Sequence, residues 1–218
     1  AGPTLTAFGV GGTLADPRLA LLSGQTTIGE NDDWAGSAEI AATSSSVGAF
    51  GFASPTSKDA ALAQAAAPGG YTVRISGPGT SSGVALAEVY DTTPSDDFVV
   101  STPRLINVSA LTQVGTGGDI LIAGFSITGV TPKTVLVRGI GPTLAAFGVS
   151  GALADPVLDL YASGATSALS SNDNWSAASN ATQVADAAAG VGAFALTAGS
   201  KDAVLLVTLP PGTYTAQI

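Results

Sequence analysis

The sequence predicts an all-β protein made of tandem β-sandwich repeats, each incomplete at one end of the chain. Three observations carry that expectation. GPTLTAFGVGGTLADPRLAL (2–21) returns as GPTLAAFGVSGALADPVLDL (141–160), identical at 15 of 20 positions at an offset of 139. Short apolar runs, several alternating with polar residues, are bounded by Gly, Pro and Asp, which is the pattern of short strands between turns. Helix signals are sparse by comparison.

The repeat continues past its first block. NDDW (31–34) answers NDNW (172–175), VGAF (47–50) answers VGAF (191–194), and SKDA (57–60) answers SKDA (200–203). GYTVRI (70–75) answers TYTAQI (213–218). A period of about 140 residues is the size of a domain rather than of a solenoid turn. The expected organisation is a first copy over 1–91, a linker over 92–103 whose Pro, Asp and Thr content suits one, and a second copy over 104–218. The first copy lacks counterparts of 104–140, and the second lacks a counterpart of 76–91.

GDILIAGFSITG (118–129) alternates around Leu121, Ala123, Phe125 and Ile127 and reads as a strand. KTVLVRG (133–139) is short and β-branched. DAVLLVTL (202–209) is continuously apolar, as in a strand buried on both faces. The PPG and APGG links after the SKDA strands read as hairpin turns into TYTAQI and YTVRI. GVALAEVYD (83–91) reads as a further strand. In the first copy Gln64, Ala65 and Ala66 replace Val207, Thr208 and Leu209, which weakens its middle strand. The Ala-rich 178–189 could hold a turn or two of helix, while its Ser/Thr-rich counterpart 37–46 is a poor helix former. Both read as surface excursions. One full unit of about eight strands would be jelly-roll-like or immunoglobulin-like. Phe8, Leu14, Leu21, Phe50, Leu62 and Tyr71 are expected in one core, and Phe147, Leu153, Leu160, Phe194, Leu205 and Tyr214 in the other.

Composition narrows the function. Net charge is −9, which argues against nucleic acid and anionic membranes, whose phosphates need a basic footprint. No apolar run approaches the ~20 residues that span a bilayer as a helix. Cys, His and Met are absent. That removes thiol nucleophiles, zinc–thiolate sites and the most frequent general base. There is no GxSxG elbow, and VGTGG (114–118) lacks the P-loop Lys. An enzyme is not expected, nor is any cofactor beyond calcium. NVS (107–109), NWS (174–176) and NAT (180–182) match the glycosylation tripeptide.

The chemical candidates are acidic. Asp16, Asn31, Asp32 and Asp33, and in the second copy Asp155, Asn172, Asp173 and Asn174, are hard oxygen donors that could gather around Ca²⁺. The competing role is turn formation, in which Asp and Asn side chains bond nearby backbone N–H groups. That role is preferred, since neither EF-hand spacing nor a bidentate Glu is present. Trp34 and Trp175 follow these turns, either as sugar-stacking rings or as anchors closing a core. Lys58–Asp59 and Lys201–Asp202 read as solvated turns with weak ion pairs.

The order GP-L-FGV-G-LADP-L-LY, N-NW, GAF, GSKDA-LLVTLPPG-YT, GVAL-EVYD resembles a repeat module of very large secreted surface proteins of environmental bacteria. DP-L-LY followed by LPPGTYT is more loosely similar to the bacterial pre-peptidase C-terminal β-sandwich. Both resemblances imply extracellular or cell-surface, non-catalytic β modules. The expected role is a self-associating subunit of a filament, fibre or matrix, whose partner is a second copy joined head to tail by strand sharing. The alternatives are a calcium- or carbohydrate-binding adhesin module and a non-catalytic accessory domain of a secreted enzyme.

Overall fold

A computed structural model describes residues 1–218, Ser95 by its backbone alone. The chain is β-rich, with 25% of residues in strands and 17% helical. It divides into two compact units, Ala1–Leu105 and Ile106–Ile218.

Unit 1 opens on a 3-10 helix, Pro3–Phe8, followed by β1 (Arg18–Ser23), β2 (Thr26–Asn31), α1 (Ala38–Ser46) and β3 (Tyr71–Ser76). The strands form one antiparallel sheet in the order β2-β1-β3. Unit 2 contains β4 (Ile122–Ile127), β5 (Lys133–Gly139), a 3-10 helix at Pro142–Phe147, β6 (Leu158–Ala162) and β7 (Ser170–Asn172). It continues with α2 (Ala181–Gly190), β8 (Ala203–Leu209) and β9 (Gly212–Gln217). Here there are two antiparallel sheets, β4-β9-β6-β7 and β5-β8.

The repeat is legible in the register. Leu19 faces Asn31 and Leu21 faces Val73 in unit 1; Leu158 faces Asn172 and Leu160 faces Ala216 in unit 2. Sheet β2-β1-β3 is thus the counterpart of β7-β6-β9. Among the described residues unit 1 has no counterparts of β4 and β5. Its counterpart of β8, around residues 60–66, has no strand structure. A strand exists only where a neighbour accepts its ladder bonds. In unit 2 that neighbour is β5, paired with β8 from Lys133↔Leu209 to Gly139↔Ala203. No such neighbour stands there among the described residues of unit 1, and Gln64, Ala65 and Ala66 also remove the apolar side chains that β8 uses.

The core follows. In unit 2 both sheets bury Leu158, Leu160, Ala203, Leu205, Leu209, Tyr214 and Ala216 in one cluster, with Phe125, Val135 and Val137 against it. The Phe125 and Tyr214 rings stack at 5.5 Å. Helix α2 packs on β8, with Val184 and Val204 buried, which accounts for the unbroken apolar run of that strand. Among the described residues unit 1 has no second sheet. Tyr71 is 37% exposed and Val73 40%, where their counterparts Tyr214 and Ala216 are 4% and 6%.

Several expectations need correction. Phe8, Tyr71, Phe147, Leu153 and Phe194 are exposed, not core residues. Phe8 packs edge-on to Phe50 and Phe147 lies against Phe194, so each unit pairs two rings at its surface instead of burying them. The PPG and APGG links are not hairpin turns. β8 pairs with β5 and β9 with β4 and β6, so Pro210 and Pro211, which lack a ladder donor, pass the chain from one sheet to the other. GVALAEVYD forms a single parallel bridge, Thr13↔Val84, rather than a strand. Residues 38–46 do form a helix despite their Ser/Thr content. Ser37 caps it by accepting from the Ile40 N–H at 3.3 Å, and Glu39 sits in the first turn, where the helix dipole favours an acid.

The unequal cores set unequal energetics. Leu205→Ala is expected to cost about 3 kcal/mol, and its half-buried counterpart Leu62→Ala at most about 1 kcal/mol. Urea unfolding of the two variants checks this. Equal losses would contradict the difference in packing.

Candidate functional site

Each unit is tied together by a buried aspartate. Asp59 and Asp202 are wholly buried, so the expected solvated Lys–Asp turns are corrected. Asp59 accepts from the Gly2 N–H at 2.7 Å, the Thr4 N–H at 3.3 Å, the Thr4 hydroxyl and the Ser57 hydroxyl. Asp202 accepts from the Gly141 N–H at 2.8 Å, the Thr143 N–H at 3.3 Å, the Thr143 hydroxyl and the Ser200 hydroxyl. Two of the four donors are N–H groups at the start of a 3-10 helix, which has no internal partner for them. Thr4 Oγ1 also accepts from Ala53 N–H, and Thr143 Oγ1 from Thr197 N–H. The glycine is obligatory: a Cβ on Gly2 or Gly141 would strike the carbonyl oxygen of Leu14 or Leu153.

The tryptophans complete the clasp. Trp34 donates its backbone N–H to the Asp59 carbonyl at 2.8 Å, and Trp175 to that of Asp202 at 2.9 Å. Their indole N–H groups donate to the Ser57 and Ser200 hydroxyls at 3.1 Å, and those hydroxyls donate on to the carboxylates. Each serine is thereby committed as a relay in a packed network, not presented as a nucleophile. Trp34 also lies 5.1 Å from Phe52. Both rings are half-buried and tied into the network by their indole N–H groups.

Burial pushes the Asp59 and Asp202 carboxyls up, but the hydrogen bonds outweigh it and hold both below the ordinary 3.8. A carboxyl whose folded pKa is depressed contributes stability above its unfolded pKa and loses it as pH falls through the folded value.

The acidic loops are stitched as turns. Asn31 accepts from Ala61 N–H and donates to the Asp33 carbonyl, both at 3.0 Å. Asn172 accepts from Val204 N–H at 2.8 Å and donates to the Asn174 carbonyl at 3.5 Å. The ammonium of Lys58 sits 2.6 Å from Asp33, and Lys201 pairs with Asp155. Asp33 raises the pKa of Lys58 above its ordinary value, with smaller contributions from Asp16 and Asp32; Asp155 and then Asp173 do the same for Lys201. The structure therefore brings Asp16, Asp32 and Asp33 around one lysine, and Asp155 and Asp173 around another, while Asn31, Asn172 and Asn174 serve the turn backbone. Asp16 Oδ1 and Asp33 Oδ1 are buried and unpartnered. Among the described residues no group of three or more acidic side chains is arranged to hold a metal ion.

A second feature is the outer edge of β3. β3 pairs with β1 on one side, and among the described residues nothing pairs with its other side. In unit 2 the equivalent edge of β9 is taken by β4, with Phe125 facing Tyr214 and Ile122 facing Gln217. An open row of N–H and C=O groups beside apolar side chains is a template for another strand. The repeat pattern pointed to this edge. It did not point to the buried carboxylates, although the recurrence of GPT and SKDA was a usable signal.

At neutral pH, Asp202→Asn is expected to destabilise the protein by about 2–4 kcal/mol, because four donors lose an ionised acceptor. Wild-type stability should fall as pH drops below about 4, and the variant should show a shallower fall. Urea titrations from pH 7 to pH 2.5 measure both. Parallel curves would remove the carboxylate from its stabilising role. Millimolar calcium is expected to raise the unfolding temperature by no more than about 1 °C. A larger rise would assign the acidic loops a metal. Comparison of the chain with protein-family models, curated proteins and solved structures finds no match.

Proposed function

We propose that this chain is a non-catalytic structural module of a secreted, cell-surface polymer, and that copies associate head to tail through open sheet edges. In this reading both units are built on one β-sandwich plan, of which residues 1–105 hold the three-stranded sheet β2-β1-β3. The observation that carries it is the contrast between β3 and β9. The same register and the same Tyr recur, yet β9 is covered by β4 and β3 is bare. An edge of this kind is a template for an incoming strand. The chain also holds an unpaired apolar run, residues 105–114, in which Leu105, Ile106, Val108 and Leu111 are exposed outside any strand. A free edge and a free strand-like segment in one polypeptide join different surfaces, and a heterologous contact of that kind propagates.

The chemistry agrees. With 11% charged residues, little repulsion opposes side-by-side strands. The Ser and Asp side chains with the most hydrogen bonds are consumed in the clasp, which argues for scaffold rather than catalysis. The extracellular assignment rests on the resemblance to bacterial surface repeats, and a Met- and Cys-free composition tolerates oxidation. The adhesin reading keeps one specific support, the unpartnered Oδ1 atoms of Asp16 and Asp33, and the calcium titration above decides it.

Negative-stain microscopy and sedimentation of the purified protein test the assembly. The wild type is expected to form filaments with a regular subunit repeat. Val73→Lys, which places a charge on the bare face of β3, is expected to stay monomeric with an unchanged circular dichroism spectrum. A wild type that remains monomeric at high concentration, or a Val73→Lys variant that assembles normally, would refute it.

A further inference from the structure

We propose that the Arg104–Leu105 peptide bond is a processing site for a serine endopeptidase whose acidic specificity pocket takes arginine, and that hydrolysis there separates the two units by a single cut. This goes beyond the self-association reading and does not rest on it.

An endopeptidase takes its substrate as an extended strand and bonds to its backbone. A cleavable segment must therefore be exposed and free of ladder or turn bonds of its own. Residues 103–110 meet that requirement. Every one of them is exposed, and none lies in a helix, strand or turn. Among the described residues none of them makes a backbone–backbone hydrogen bond. Arg104 is followed by Leu105 rather than by Pro, so the scissile amide keeps its N–H. The bond also falls beside the boundary between the compact units Ala1–Leu105 and Ile106–Ile218.

The chain has 7 basic residues, and all the others are held in structure. Arg18 and Arg74 lie in β1 and β3, and Lys133 and Arg138 in β5, each within a paired ladder. Lys58 and Lys201 stand next to the wholly buried Asp59 and Asp202, so presenting either bond to an enzyme pulls the clasp apart. A protease reaches these positions only through local unfolding, whose open population is small. A cut after Arg104 breaks neither clasp.

The site is guarded. Arg104 Nε donates to the Asp91 carboxylate at 3.2 Å, and the guanidinium carbon lies 3.8 Å from the centre of the Phe98 ring. Asp91 also accepts from the Thr93 N–H at 3.1 Å, and the Thr102 N–H donates to the Val99 carbonyl at 2.9 Å, so residues 91–104 fold back on themselves. To enter an acidic pocket the guanidinium must leave both partners. An exposed ion pair of this kind is weak, so the guard slows the cut without closing the site. In the cleavage the serine oxygen of the protease bonds to the Arg104 carbonyl carbon, the C–N bond breaks, and the Leu105 nitrogen leaves as an amine carrying a proton. Water then releases Arg104 as a carboxylate.

The test is limited digestion of the intact protein with trypsin, followed over time by mass spectrometry. The first products are expected to be 1–104 and 105–218, with cuts at the other basic residues at least about tenfold slower. Arg104→Gln is expected to stay uncut over the same period, its fold checked by circular dichroism. Asp91→Asn, which leaves Arg104 in place, is expected to speed the first cut about two- to fivefold. A first cut elsewhere, comparable rates at several basic residues, or an Arg104→Gln protein cut as fast as the wild type would each overturn the site. An unchanged rate for Asp91→Asn would overturn the guard. Filament formation is read separately, so the site stands or falls without the assembly.

Discussion

Both units depend on a carboxylate that has been taken out of water and given four donors. Asp59 and Asp202 join the loop ahead of a 3-10 helix to the segment that returns some 60 residues later. Desolvating a carboxylate is costly, and it is tolerated only where its oxygens are fully bonded. The donors come from Gly2 or Gly141, from Thr4 or Thr143, and from Ser57 or Ser200, so the arrangement forms only when these distant segments meet. The Trp indole, bonded to the serine hydroxyl, fixes the direction in which that hydroxyl donates. The invariance of GPT and SKDA between the copies has its physical cause here.

The two copies act as an internal comparison. The clasp, the three-stranded ladder and its register are common to both. They differ in what lies beside that ladder. Where β4, β5 and β8 are present, Tyr214 and Ala216 vanish into a core. Where no counterparts stand beside β3, Tyr71 and Val73 meet solvent. The clasp therefore specifies a local framework, and neighbouring strands decide whether that framework encloses a core.

The sequence by itself determined the repeat, the β-rich class, and the positions of β3, β4, β5, β8 and β9. Those follow from local alternation, β-branched runs and turn residues, which act over a few positions. It also located the acidic turns and Trp34 and Trp175. Tertiary structure alone decided the rest. The Pro-rich links were hairpins by local pattern, but ladder partners placed β8 and β9 in different sheets. Phe8, Phe147 and Phe194 were core residues by hydropathy, but pairing with a second ring at the surface was open to them. Asp59 and Asp202 carried no local mark of burial, because all but one of their donors, the nearby serine hydroxyl, are brought by folding from about 55 to 61 residues away. Residues 60–66 lost their strand for want of a neighbour. Burial and pairing are properties of what lies alongside, and what lies alongside is set by long-range partners that no short window of sequence contains.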